Sequence, residues 1–246
     1  MGNRYNLARQ SSNETTIKRM YTDKKRLDLW NHFCAAHGVL EGAVPLFECD
    51  GPYVSAFPYG KNHRLILKRS DQMDSLVIRE VEKVISDFKR NGDEYEGLIY
   101  MMLWKEGHSI IPLYIGKSEK YGKGGKYLSE NIRDIRSNKG KFSRWGYAYA
   151  YHIGDLSAVV CEGHSRDKTS RKYIKWAKTL FDSFPSREPQ LKKPTFFWIK
   201  AWKRGDVGPW EELGPIRLTF LEYLLIGLGS NLFPQVILNE EGVNRQ

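Results

Sequence analysis

The chain has 246 residues, 41% hydrophobic and 28% charged, which reads as a soluble globular protein with ample length for a buried core. Lys and Arg outnumber Asp and Glu by 39 to 29, and a net charge of +10 favours a polyanionic partner. No apolar run is long enough to span a membrane, and three widely spaced cysteines argue against a disulfide framework and fit a reducing cytoplasm.

Residues 1–20 are polar. MGNRYNLARQSSNETT lacks the apolar centre of a signal peptide, and Asn6 stands where a myristoylation signal has Ser or Thr. Lys24 to Ala36 has helical periodicity through Leu27, Trp30 and Phe33. His32, Cys34 and His37 in WNHFCAAH, with Cys49 beyond, match no common zinc spacing and are read as packing on that helix, with a zinc site as the alternative. Gly38 to Arg69 is rich in Gly and Pro, with short strand-like pieces in VPLFEC and RLILK. Asp74 to Arg90 predicts an amphipathic helix with Asp74 as N-cap and Asn91-Gly92 as stop.

Two strands follow, Gly97–Trp104 and Ile110–Ile115, and the Glu106-Gly107 turn between them predicts a hairpin. A Gly/Lys loop leads to a helix expected over Leu128–Ser137. Arg144–Ile153 reads as a third strand, Thr169–Phe184 as a helix and Pro185–Pro194 as a loop. Thr195–Trp202 is an aromatic strand. Ile216–Leu228 is an apolar helix ended by Gly229-Ser230-Asn231, and the tail LFPQVILNEEG is short and extended. No internal repeat is present.

Glu222 is the only charged residue between Leu218 and Asn239. A carboxylate in so apolar a helix costs several kcal/mol of desolvation unless donors or a cation meet it. It is read either as half of a buried ion pair or as the anchor of a hard, oxygen-bound metal such as Mg²⁺. Tyr100 and Tyr114 close the two hairpin strands, and strand tyrosines are ordinarily packing residues. Near a metal or a lysine, though, a phenol can orient or activate water, and Lys117 follows Tyr114 closely. The loop SEKYGKGGK offers N–H groups and lysines to phosphate but lacks the Walker spacing. His152 and Asp155 in YAYAYHIGDLS are read as capping or hydrogen-bonding residues, with an acid, base or ligand role as the alternative. Trp176, Trp198, Trp202 and Trp210 are read as core, with base stacking as the alternative.

Leu98-Ile99-Tyr100 followed by Tyr114-Ile115-Gly116-Lys117 resembles the paired signature of the GIY-YIG nucleases. YIGK is intact, whereas the first glycine falls one place early, at Gly97. Downstream, LEYLLIGLGSNLFPQVILN resembles the family's later helix and strand, with Glu222, Pro234 and Asn239 in matching order. The likeness covers about Gly97–Asn239. In YLSENIRDIRSN the place of the family's arginine is taken by Asn131; Arg133 on the same segment, or Arg144 in KFSRWG, could stand in for it. Arg133 is equally read as a solvated surface residue.

The resemblance implies an α/β protein of α+β type, with a small, mainly antiparallel sheet flanked by helices. Residues 1–95 would be an extension, open to contact with DNA. Residues 96–246 would be the nuclease-like domain, with an insertion at about 163–214. It implies a metal-dependent DNA endonuclease with Mg²⁺ or Mn²⁺ on Glu222; the extra N-terminal segment and insertion suit a cytoplasmic restriction or defence enzyme, with a repair or mobile-element nuclease as the alternative. Tyr100, Tyr114, Lys117 and one of Asn131, Arg133 or Arg144 would be its catalytic set. Homo-oligomerisation is left open. The alternative is a non-catalytic nucleic-acid-binding protein on a degenerate nuclease scaffold.

Overall fold

Trp30 and Phe33 lie on one side of the first helical pattern, and in the computed structural model both are fully buried on helix α1, residues 22–36. The structure describes residues 22–136, 152–165 and 169–243. After a one-turn helix α2 (Val39–Gly42), the Gly/Pro-rich stretch breaks into β1 (Val44–Pro45), β2 (Cys49–Asp50), β3 (Tyr53–Val54), β4 (Ala56–Tyr59) and β5 (Arg64–Leu67). β2 with β3, and β4 with β5, form two small antiparallel ribbons.

Helix α3 (Asp71–Lys89) begins earlier than its apolar pattern suggests. Ser70, not Asp74, is the N-cap: its backbone is extended, and its hydroxyl accepts the Met73 N–H at 3.0 Å. Asp74 sits in the first turn, where a carboxylate is favoured, and pairs with Arg69 at 2.8 Å. The hairpin forms as expected from β6 (Tyr95–Glu106) and β7 (Ser109–Glu119).

The segment after Leu128 departs from expectation. Residues 130–136 form a run of turns instead of the helix predicted over Leu128–Ser137. The backbone mixes bond lengths there: Ile132 and Arg133 both donate to the Ser129 carbonyl, at 3.1 and 3.0 Å. Ser129 and Asn131 belong to the residue types that compete with helical bonding, and the Asn131 N–H reaches the Ser129 hydroxyl at 3.4 Å. The strand expected at Arg144–Ile153 lies outside the described residues up to 151, and its last residue opens a helix. That helix is α4 (Ile153–Val160), in which Ile153, Leu156 and Val160 recur at helical spacing and are buried.

Helix α5 (Arg171–Leu180) buries Tyr173, Trp176, Ala177 and Leu180. Strand β8 (Phe196–Lys203), a 3-10 turn at Glu211–Leu213 and helix α6 (Leu218–Leu232) complete the fold. α6 runs past the predicted Gly229 stop. Asn231 Nδ2 and Ser230 Oγ bond the Gly227 carbonyl at 2.8 and 3.1 Å, and Gly229 lets the helix pack close to Pro112 and Ile237.

The main sheet has the order β1-β8-β6-β7, antiparallel throughout. Along β6, Tyr100 and Met102 enter a core shared with α3, α4 and α5, while Ile99 and Met101 enter a second core shared with α1 and α6. Burial on both faces explains the unbroken apolar run LIYMMLW. The α+β architecture, an antiparallel sheet flanked by helices, is therefore the one expected. Both cores draw on residues before and after position 95, and β8, from the segment read as an insertion, lies between β1 and β6. Among the described residues no helix is long and apolar enough to cross a membrane.

Candidate active site at the β7 edge

β7 is an outer strand of the sheet, and its residues alternate between the two faces. Tyr114 faces α4 and α5. Its ring lies 5.0 Å from both His152 and Trp176. Lys117, half-buried, points to the α6 side and pairs with Glu119 at 2.5 Å. Glu119 also accepts the Thr219 hydroxyl of α6 at 3.3 Å. One turn along α6, Glu222 comes into the field of Lys117.

The electrostatics tie these groups together. Burial pushes the Glu222 carboxyl above its ordinary value, with help from Glu119 and Glu241; the Lys117 ammonium and backbone N–H pull the other way. Burial, then the charges of Glu222, Glu241 and Glu240, holds the Tyr114 phenol well above its ordinary value. At neutral pH Tyr114 is therefore a neutral O–H donor. Glu119 is held low, chiefly by its hydrogen bond from Lys117.

Asn239 fixes the acidic tail in place. Its side-chain amide accepts the Ile115 N–H at 3.0 Å and donates to the Ile115 carbonyl at 2.8 Å. The Leu238 N–H reaches the Leu113 carbonyl at 2.6 Å. The tail is thus pinned against the outer strand, and the charges of Glu240 and Glu241 that follow it act on Tyr114.

The other candidates divide. Tyr100 is 0% exposed, packed 6.0 Å from the Phe197 ring inside the core. Asn131 and Arg133 line, with Lys117, Glu119, Lys123 and Tyr127, an open cavity of about 750 Å³ beyond the end of β7. Arg133 is exposed there, and its Nε stands 3.4 Å from Asp134. Arg144 lies outside the described residues. His152 precedes α4 in a left-handed conformation, fully buried, with Nδ1 2.5 Å from the Tyr173 hydroxyl. Burial pushes the nearby Asp155 carboxyl above its ordinary value, and Tyr173 and Lys172 pull the other way.

Trp176, Trp198 and Trp202 are core residues, whereas Trp210 is partly exposed. In the histidine–cysteine run, His32 meets Glu211 at 2.9 Å and His37 meets the Val207 carbonyl at 2.9 Å. Burial pushes the Cys34 thiol up to about 12.

Sequence reading missed Glu119, Lys172, Glu240 and Glu241. The acidic pair stands directly after Asn239 and could have been noticed. Lys172 had no local signal, because only the packing of α5 on β7 brings it to Tyr114.

Comparison with known proteins adds no relative: no protein-family model, no curated protein and no solved structure matches the chain.

Proposed function

We propose that the chain is a metal-dependent endonuclease that hydrolyses DNA phosphodiester bonds, a divergent protein of GIY-YIG type. The observation that supports this best is the gathering of Tyr114, Lys117 and Glu222 on one edge. Glu222 is far from the other two in sequence, yet its charge raises the Tyr114 phenol and it feels the Lys117 ammonium in turn. Ionisable groups that act on one another across a shared strand edge are candidates for chemistry.

The donor chemistry at Glu222 fits a hard divalent cation. Its carboxylate has like-charged neighbours in Glu119 and Glu241, whose repulsion a cation relieves. Among the described residues no three His, Cys, Asp or Glu side chains form a cage, so water would fill most of the coordination sphere around Glu222. Bound there, Mg²⁺ or Mn²⁺ supplies neutralisation of the charge that develops on the leaving oxygen.

The chain's own residues do the rest. Tyr114, held neutral, donates its O–H to position the attacking water or a phosphoryl oxygen. Lys117 stabilises negative charge on the phosphoryl oxygens. The Gly/Lys loop and Arg133 line the cavity through which the strand continues.

Two observations favour a second reading. The phenol best placed to activate water is held protonated, and Arg133 stands beside Asp134, which suits a nucleic-acid-binding protein without catalysis. Incubation with supercoiled plasmid separates the two. The nuclease nicks or linearises it with Mg²⁺ or Mn²⁺, and stops on chelation. Binding without cleavage in every divalent metal supports the second reading, and neither binding nor cleavage sinks both.

A further inference from the structure

Lys172 enters the site from α5, on the far side of Tyr114 from Lys117. Its Nζ stands 5.4 Å from the centroid of the Tyr114 ring and 5.8 Å from those of Tyr173 and Trp176. Among the described residues its ammonium makes no hydrogen bond or ion pair, although Asp155, Glu240 and Glu241 act on it through space. Neighbouring lysines are committed elsewhere: Lys175 donates to the Ile237 carbonyl at 3.0 Å, and Lys117 to Glu119.

Three aromatic faces stabilise a cation without neutralising it. Lys172 is half-buried, so it sheds less water to meet an anion than a fully solvated lysine does. A cation in that setting, held against the ring of the candidate catalytic tyrosine, is built to receive a negative group arriving at Tyr114. Arg133 is less suited, being exposed and already beside Asp134.

We infer that Lys172 holds a phosphate of the nucleic-acid strand on the Tyr114 side of the site, opposite Lys117. This rests on the nucleic-acid reading above, but not on hydrolysis. The segment that supplies Lys172 then belongs to the binding surface and is not merely a structural addition to it.

The test is a salt titration of binding to a short fluorescent DNA duplex in EDTA, which prevents cleavage. Lys172→Met keeps the aliphatic stem across the rings and removes the charge, and Lys172→Gln is a second neutral variant. Lys172→Arg restores the charge. Near-UV circular dichroism of the aromatic cluster reports that each variant is folded. Loss of one phosphate contact lowers the slope of log affinity against log salt by about 0.9. That loss is expected in the Met and Gln variants and not in the Arg variant. Arg187→Gln, a surface change at a residue paired with Glu162, leaves the slope unchanged. A wild-type slope in the neutral variants, or no DNA binding by the wild type, overturns the proposal. Mg²⁺-dependent cleavage of the same duplex is scored separately. Cleavage with an unchanged slope keeps the nuclease and removes Lys172 from it; a lowered slope without cleavage does the reverse.

Discussion

The ring of Tyr100 lies flat against Gly116, its partner across the hairpin. A β-carbon at position 116 would come within 2.7 Å of two carbons of that ring and of its hydroxyl oxygen. The two halves of the LIY and YIG motif are therefore joined by packing, with the glycine making room for the first tyrosine. Gly116→Ala should destabilise the fold by about 1–3 kcal/mol, the usual cost of overfilling a core. Urea unfolding measures it, and a midpoint equal to the wild type refutes the contact.

Asn239→Ala removes both side-chain bonds to Ile115 and leaves its N–H and carbonyl without that partner. Each such buried group costs about 1–3 kcal/mol. The more specific outcome is local: the Ile115 amide should lose hydrogen-exchange protection, while amides in α3 keep theirs. Equal loss at both would mean a global effect.

Glu222→Gln keeps the shape of the side chain and removes its charge. Under the proposed function several kcal/mol of charge stabilisation disappears, a fall in single-turnover cleavage on the order of a thousandfold or more. Retention of wild-type cleavage would remove Glu222 from the site.

His152 gives a pH prediction. Burial, then the nearby Lys172, holds its imidazole well below the ordinary value of 6.5. As pH falls below 6.5, the unfolded chain takes up a proton that the folded chain refuses. Stability is then lost with acidification, by up to about 1.4 kcal/mol per pH unit until the folded value is reached. Denaturant midpoints across this range should fall in the wild type and fall less steeply in His152→Gln.

The ion pair of Lys120 and Asp87, 2.8 Å apart, is buried at the end of the hairpin, and Lys120 also donates to the Gly92 carbonyl at 2.7 Å. Lys120→Met leaves a carboxylate buried without its cation and should cost about 3–5 kcal/mol. Adding Asp87→Leu should recover part of the loss in the same unfolding assay. No recovery would show that the pair is uncoupled.

What was legible in the sequence follows how local each signal was. Helices α1, α3, α5 and α6 and the β6–β7 hairpin announced themselves through periodicity and turn residues. Gly97 is explained only by tertiary contact: φ is 151° at a register shift, and a β-carbon there would lie 2.2 Å from the Ser118 carbonyl. That accounts for a glycine one place ahead of the family pattern. The failed helix after Leu128 is a case in which Leu128, Ile132 and Ile135 recur at helical spacing while serine and asparagine redirect the backbone. Of the residues named from sequence, Glu222 feels the charge of Lys117, and its own charge reaches Tyr114 on the other face of β7. Tyr100 looked equivalent to Tyr114 because both end a strand-like run, and both do face the same core, but Tyr100 stands on the inner strand β6 and is fully buried while Tyr114 stands on the outer strand β7. Lys172 depends on a docking that no linear pattern encodes.

The position of β8 has a consequence in time. Leu103 pairs with Phe196, and Val44 pairs with Phe197, so neither contact exists until the last quarter of the chain is made. At about 5–20 residues per second, a ribosome leaves the hairpin waiting roughly five to twenty seconds for its neighbour. During that interval one apolar edge of β6 stands open, the kind of surface that pairs with other chains. A chain stopped just before Phe196 would carry Tyr114 and Lys117 and still lack the strand that closes the sheet behind them.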